Sequence, residues 1–280
     1  MLDIPTFKHY DNEKRIAILD NSSIAFLEKM ERCGFLTAEL LSGYDLILIP
    51  NWVAEEIKDS PYRSKYIKKS FEAGMPFCTI PEEKYAELVY YEEGRLYSMV
   101  YAAASRLGPL KSYLRRYVQK QDPLDMEAYC DWIRKMYQNW PLKDECIRSG
   151  RVKKKNAGEI SITILAEIFS CYYPNIELIT IYTQDRDTYD YQESAHKQLK
   201  QLFIKNIPVH VGYKSNDSLL QQLYLKNRMT LGELNELRTD ARVVTFTKRR
   251  ADHSTILVSQ KVNNEQFIKL LQDDTTQIIF

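Results

Sequence analysis

Acidic residues stand at or just after the ends of several apolar segments of this chain. Asp20 ends the run RIAILD, and Asp185 and Asp187 follow the run IELITIYT. Glu56 lies about one helical turn after the run DLILIP, and Glu159 lies near the start of an apolar, helix-like segment. Carboxylates that lie close together repel each other unless a cation holds them, and their hard oxygen atoms suit Mg²⁺ or Mn²⁺. Two such ions roughly 4 Å apart can bind the attacking and leaving oxygens of a phosphodiester.

Apolar runs that alternate with helix-like segments predict the elements that position these acids. Continuous apolar runs predict buried strands at 15–20, 45–50, 75–81, 176–183 and 207–213. Between them, the spacing predicts helices that start at the capping residues 21–23 and close near Gly34, and at 51–60, 62–73, 156–173 and 192–206. Alternating strands and helices predict an α/β fold, an α/β/α sandwich with a central parallel sheet. Ligands bind such sheets at the carboxyl ends of the strands, where the acids are expected to converge.

Two segments depart from this alternation. Residues 82–147 are helix-like, poor in Gly and rich in Tyr, which predicts a helical insertion or cap. Core packing is favoured for its tyrosines over stacking on RNA. After about residue 215 the pattern predicts short helices, a hairpin and a last strand. The chain is therefore divided into a main domain over 1–214 and a small α+β C-terminal module over 215–280, whose role the pattern does not indicate.

The acidic residues lie in four segments that together resemble the motifs of the PIN-domain nuclease family. ILDNSS looks like the first motif, a strand that ends in Asp before a small hydroxyl residue. IPNWVAEEI resembles the second and matches it at Glu56 rather than Glu55. NAGEISITILA is similar to the third, and IYTQDRD to the fourth. The resemblance covers roughly residues 15–213 and departs from the compact family pattern at the long insertion.

This resemblance implies a PIN-like fold and a divalent-metal-dependent endoribonuclease that leaves 5′-phosphate and 3′-hydroxyl ends. It implies that the catalytic and metal-binding residues are Asp20, Glu56, Glu159 and Asp185, with Asp187 as an auxiliary metal ligand. Ser22 and Thr183 would hydrogen-bond around the metal. The cofactor is then Mg²⁺ or Mn²⁺, and the partner is RNA, expected to be single-stranded.

A basic run lies immediately before Glu159. Its cationic residues are Arg148, Arg151, Lys153, Lys154 and Lys155. Such runs are usually solvated loops. The position next to the expected metal site favours a second interpretation, in which the loop holds the phosphate backbone of the RNA.

Each acidic residue also has a purely structural interpretation. Glu159 follows Asn156 at the spacing of a capping box, and Asp185 and Asp187 are common turn residues. Two rival functions stay open as well. The first rival is a PIN-like scaffold that binds nucleic acid or protein without cutting. The second is a phosphatase or phospho-acceptor that uses Asp20. The Asp-nucleophile phosphatases need a second Asp two residues on, where this chain has Ser22.

Composition narrows the class of protein. The formal net charge is +1, which argues against binding nucleic acid by bulk charge but not against a local basic groove. The 5 cysteines show no metal-ligand spacing and indicate reduced thiols. No apolar run approaches the ~20 residues of a membrane span, and the N-terminus is polar. We therefore expect a cytoplasmic protein without a membrane partner. The sequence leaves open whether an inhibitor protein binds the chain and whether the chain forms a homo-oligomer.

Overall fold

A computed structural model describes residues 2–118, 128–139, 141, 144–146, 150, 152–200 and 209–280. The strands in this part of the chain are β1 (Arg15–Leu19), β2 (Leu46–Pro50), β3 (Phe77–Ile80), β4 (Asp144–Cys146), β5 (Val152–Lys154), β6 (Leu178–Tyr182), β7 (Val211–Lys214), β8 (Arg242–Arg249), β9 (Thr255–Val262) and β10 (Thr276–Ile278).

The helices of the first half are α1 (Asn21–Arg32), α2 (Ala38–Leu41), α3 (Asn51–Ile57), α4 (Pro61–Glu72), α5 (Tyr85–Leu88), α6 (Glu93–Ala103) and α7 (Gly108–Val118). The later ones are α8 (Tyr129–Gln138), α9 (Ala157–Tyr172), α10 (Arg186–Leu199), α11 (Asn216–Leu225), α12 (Leu231–Leu237) and α13 (Asn264–Leu271). Single 3₁₀ turns lie at Glu82–Lys84 and Ala104–Arg106.

The central sheet has five parallel strands in the order β3-β2-β1-β6-β7. Its strands are short apolar runs, and β1 and β2 are buried along almost their whole length because helices cover the sheet. The structure thus confirms the predicted α/β class with a central parallel sheet flanked by helices. The chain leaves β1 toward β2 and leaves β6 toward β7, so the strand order reverses between β1 and β6. In open α/β sheets a ligand crevice forms at such a reversal.

The segment predicted as a helical insertion is helical through α5, α6, α7 and α8, but it ends differently. Residues Asp144–Cys146 form β4, which pairs antiparallel with β5. The prediction of a helical segment reaching 147 is therefore wrong at its end. The basic run is also not all loop, because Val152–Lys154 is a strand. Helix α6 packs against α9 and α10. Tyr85 and Tyr97 are buried as expected for core packing, whereas Tyr90 and Tyr91 are exposed and do not fit that expectation.

The predicted tail of short helices and a hairpin is confirmed. β8 and β9 form the antiparallel hairpin, and β10 pairs with the other side of β8. Its apolar residues belong to the same contiguous hydrophobic core as the central sheet, among them Leu219, Leu220 and Phe267. The five cysteines, which all lie in the described part of the chain, are free thiols.

The starts of two helices near the proposed site differ from the sequence prediction. Helix α10 begins at Arg186 rather than at 192, because Asp185 caps it. Helix α1 is capped by Asp20, not by one of the residues 21–23. Neither acid was predicted to be a helix cap. The last part of the predicted helix 192–206 lies outside the described residues.

Candidate active site at the carboxyl ends of the central strands

Asp20 lies directly after the central strand β1, at the point where the strand order reverses. Its backbone is extended, and its carboxylate accepts hydrogen bonds from the backbone N–H groups of Asn21 (2.7 Å) and Ser22 (3.4 Å). The Asp20 N–H donates to the carbonyl oxygen of Tyr182 (2.9 Å), which holds the end of β1 against β6. The carboxylate is therefore fixed in direction by the start of α1.

Hydroxyl groups bind the second oxygen of the same carboxylate. Ser22 Oγ donates to Asp20 Oδ2 at 2.6 Å, and Thr183 Oγ1 donates to it at 3.1 Å. Ser22 Oγ also accepts from the N–H of Gln184 at 3.0 Å. Ser22 and Thr183 thus lie beside Asp20, and they join the loop after β1 to the loop after β6.

Asp185 follows β6 and caps α10 on the neighbouring loop. Its Oδ1 accepts the N–H of Asp187 at 2.9 Å, and its own N–H donates to Thr183 Oγ1 at 3.0 Å. The residue as a whole is exposed, yet partial burial of its carboxyl group raises the pKa of Asp185. The negative charges of Asp187 and Asp20 also raise it. Asp187 is exposed in the first turn of α10.

Glu56 reaches the same place from α3. Its Oε2 accepts from Asn21 Nδ2 at 3.1 Å, which links it to the start of α1. Burial raises the pKa of Glu56, the ion pair with Lys153 opposes the shift, and the charge of Asp20 adds to it. Glu55 instead forms an ion pair with Lys58.

Glu159 lies in the first turn of α9 and is half-buried. Burial raises the pKa of Glu159 to about 8. The charges of Asp20, Asp185 and Glu56 shift it in the same direction. Four carboxyl groups from four separate segments are therefore close enough to act on one another electrostatically.

The capping interpretation of Glu159 does not fit the structure. Asn156 adopts a left-handed conformation (φ 63°) and makes no side-chain capping hydrogen bond to α9. Its side-chain amide donates instead to the hydroxyl of Tyr191 at 3.1 Å. The capping box that the spacing of Asn156 and Glu159 suggested is therefore absent from α9.

The basic run takes a different place from the one predicted. Lys153 Nζ lies 2.8 Å from Glu56 Oε1 and 3.5 Å from Glu145 Oε2, and only 20% of its side chain is exposed. Burial alone would lower the pKa of Lys153, but the bond to Glu56 outweighs it and the pKa is raised. Lys154 Nζ lies 2.7 Å from Asp144 Oδ1. Both lysines therefore neutralise carboxylates of the protein itself. That the basic run holds the phosphate backbone of RNA stays a prediction.

Lys155, in contrast, is exposed. Arg148 and Arg151 lie outside the described residues. Sequence reasoning missed two members of the site, Asn21 and Lys153 in its role as counter-ion to Glu56. The signal for Asn21 was its place directly after Asp20. No sequence signal pairs Lys153 with Glu56, because the two residues lie on different elements.

The oxygen atoms of the site are of the type that binds a hard divalent cation, but their present arrangement is not that of a metal centre. The side chains that bond to Asp20 are the hydroxyl groups of Ser22 and Thr183, and hard oxygen atoms of this kind suit Mg²⁺ or Mn²⁺. No lysine or arginine in the described ranges forms an ion pair with Asp20, Glu159 or Asp185. As the side chains stand, however, no group of three or more His, Cys, Asp or Glu residues that the structure describes could hold a metal ion. The ammonium group of Lys153 and the amide of Asn21 instead occupy the two oxygens of Glu56.

Comparison with known proteins gives no relative: no family model, curated protein or solved structure matches the chain. None of the helices that the structure describes has the length and apolar character needed to cross a membrane.

Proposed function

We propose that this chain is a divalent-metal-dependent endoribonuclease with a PIN-like fold. The observation that carries the proposal is the position of Asp20 and Asp185 at the reversal of strand order, where Thr183 bonds to both residues. The charges of Asp20, Asp185 and Glu56 all reach Glu159. These acids come from four segments and meet where the order of the parallel strands reverses, which is the usual ligand site of such sheets. Like charges gathered in a partly buried place are costly to a fold, so a function is the better explanation for them.

The residues of the chain supply a directed set of oxygen ligands. Ser22, Thr183 and the start of α1 fix both oxygens of Asp20. Asp185 is held beside it by Thr183 and by the backbone of Asp187. Glu56 and Glu159 face the same place from α3 and α9. Bound Mg²⁺ or Mn²⁺ would lower the pKa of a water molecule and neutralise charge on the phosphodiester. By resemblance to the family, the products carry a 5′-phosphate and a 3′-hydroxyl.

Cleavage of single-stranded RNA tests this function. Wild type is expected to cut in Mg²⁺ or Mn²⁺ and to be inactive in chelator. Asp20→Asn and Asp185→Asn are expected to abolish cutting, because each removes a charged ligand. Asn is also a good helix cap, so both helix starts are preserved. Asp11→Asn, at an exposed position outside the four segments, serves as the matched control and should cut like wild type. Full activity in both site variants would remove these acids from the mechanism.

One observation favours the non-cutting scaffold as the second candidate. Lys153 already neutralises Glu56, and a scaffold would need no other cation there. In that case the protein binds single-stranded RNA equally well with Mg²⁺ and with chelator, and the RNA stays intact. The cleavage experiment separates the two functions directly.

A further inference from the structure

A small cavity lies one helical turn from the proposed active site. Its volume is about 160 Å³, below the roughly 300–1,000 Å³ of pockets for drug-sized ligands. Ile133 contributes to its apolar wall, and the aromatic rings of Trp52 and Tyr137 also line it. The space therefore suits one flat ring system rather than an extended ligand.

The two aromatic rings form a pair inside this cavity. The ring centroids of Trp52 and Tyr137 are 4.8 Å apart, and the ring planes differ by 30°. Both residues are only partly buried, so solvent reaches them. Aromatic side chains of this kind bind nucleic-acid bases by stacking, and they tolerate any base because every base has a flat π-face.

Helix α3 connects the cavity to the carboxylates. Trp52 and Glu56 are four residues apart on it, and residues at this spacing lie on the same face of a helix. Tyr137 is also near this face. Burial raises the pKa of Tyr137, and the charges of nearby carboxylates, Glu56 among them, raise it further. A ligand in the cavity would thus lie next to the site where we propose that the phosphodiester is cut.

Polar groups at the cavity can recognise the edge of a base. Arg134 Nε lies 3.4 Å from Glu83 Oε1, and both residues line the cavity. The pair offers donors and an acceptor side by side. The wall beside Trp52 is fixed, because the Trp52 N–H donates to Glu82 Oε1 at 2.9 Å. Ser161 Oγ donates to the same oxygen at 2.7 Å.

We propose that the cavity formed by Trp52 and Tyr137 binds one base of single-stranded RNA beside the carboxylate cluster. The proposal rests on the proposed function, since it places that base next to the bond to be cut. The base stacks on the ring pair, and its edge contacts Arg134 and Glu83. The cavity thereby sets which phosphodiester of the bound strand reaches the carboxylates.

Binding of abasic RNA tests the cavity without relying on catalysis. A short single-stranded RNA and a series of copies, each lacking the base at one position, are titrated in chelator against wild type. Loss of one particular base should weaken binding by roughly five- to a hundredfold, the range of one stacked base. The same titrations are made with Trp52→Leu and Tyr137→Leu. Tyr62→Leu, at an exposed tyrosine of α4 outside the cavity, is the matched control.

The cavity variants should bind intact RNA about as weakly as wild type binds the sensitive abasic copy. In them, removing that base should cost nothing more, whereas the control should keep the full loss. This coupling separates a lost contact from general damage to the fold, because damage weakens binding of every copy alike. Trp52→Phe should recover most of the binding, since it keeps a ring.

The other outcomes overturn the proposal. Equal binding of all abasic copies by wild type shows that no base is held in a stacking site. The same base effect in Trp52→Leu and Tyr137→Leu as in wild type places the base elsewhere, and absence of RNA binding refutes the site altogether. A coupled base effect in a protein that never cuts RNA would keep the cavity and reject the nuclease, so the two proposals fail in distinguishable ways.

Discussion

Among single residues, Glu159 carries the largest electrostatic strain of the proposed site. Its pKa is raised to about 8, and its carboxyl group is not used as a cap of α9. In the unfolded chain the same group has a pKa near 4.5. At pH 7 the folded protein must therefore either protonate this carboxyl group or keep it charged among other acids, and both lower the free energy of unfolding.

Replacing Glu159 with Gln should remove this strain. We expect the metal-free Glu159→Gln protein to be more stable than wild type at pH 7 by on the order of 1 kcal/mol, although it is inactive. Mn²⁺ should raise the melting temperature of wild type, because it binds only the folded state, and should do much less for the variant. Thermal melts with and without Mn²⁺ measure all four values. The exposed Glu177 provides the matched control, Glu177→Gln. A lower metal-free melting temperature in Glu159→Gln would make Glu159 a structural residue.

Glu82 gives a separate prediction about pH, away from the proposed ligands. Burial raises the pKa of Glu82 to about 8, against 4.5 for the ordinary side chain. Between these values the folded state holds a proton that the unfolded chain releases, so the contribution of Glu82 to stability falls as pH rises from 4.5 to 8. Glu82→Gln cannot lose that proton, and its Oε1 still accepts from Ser161 and the Trp52 backbone.

The difference in stability between Glu82→Gln and wild type should therefore grow across this pH range. At pH 8 and above the variant should be more stable by on the order of 1 kcal/mol or more, and near pH 4.5 the two should be closest. Denaturant unfolding at several pH values measures the difference. Glu87→Gln, at an exposed position, should follow the wild-type curve. A constant difference at all pH values would mean that Glu82 is charged in the folded protein.

At the scale of elements, sequence patterns predicted best the strands that helices cover on both faces. Runs such as DLILIP are apolar throughout because parallel strands are buried on both faces, and β2 is buried at every position. The strand β5 was missed because VKK has no apolar alternation, and its position depends on pairing with β4. The start of α10 was missed because its first turns are polar, and only the cap at Asp185 marks them.

The residues of the candidate site also differ in how well the sequence could locate them. Residues that follow a buried strand, Asp20 and Asp185, could be located from the sequence, because the end of each strand fixes their place. Partners that arrive from other elements could not. The contact of Lys153 with Glu56 depends on where the β4–β5 pair packs against α3, and no local pattern encodes that distance.

Lys153 and Lys155, at and just after β5, are expected to have different roles. Lys155→Gln should weaken RNA binding and reduce the salt dependence by about one phosphate contact, because this side chain is exposed to solvent. Lys153→Gln should instead lower the free energy of unfolding by about 1–3 kcal/mol, since it leaves Glu56 without its cation. Titrations at several salt concentrations and denaturant unfolding measure the two effects. Equal salt slopes for wild type and Lys155→Gln would show that Lys155 does not contact phosphate.

At the scale of the whole molecule, the tail is joined to the site as well as to the core. Gln184 lies next to Asp185, and its Oε1 accepts a hydrogen bond from the backbone N–H of Asn216, at the start of α11, at 3.1 Å. Within the tail, the buried Arg238 donates to Asp217 Oδ1 at 3.1 Å, and its guanidinium lies 4.5 Å from the ring centroid of Phe267. Arg238 therefore connects α11, which carries Asp217, with α13, which carries Phe267. Breaking a buried ion pair of this kind typically costs about 3–5 kcal/mol.

A chain that ends after Lys214 tests how far the division into 1–214 and 215–280 holds. All four proposed catalytic acids lie in this fragment, so we expect it to fold and to keep a response to Mn²⁺. It should melt well below the full chain, because the core loses the buried Leu219 and Leu220 and the contact of Gln184 with Asn216.

Asp217→Asn in the full chain is the matched comparison, since it disrupts the tail without removing it. If the tail is a module, the variant should lose stability mainly in the tail and keep the Mn²⁺ response of the main domain. Circular dichroism reports folding, and melts with and without Mn²⁺ report the site. An insoluble or unfolded fragment would mean that the tail completes the core, and that the chain folds as one unit from β1 to β10.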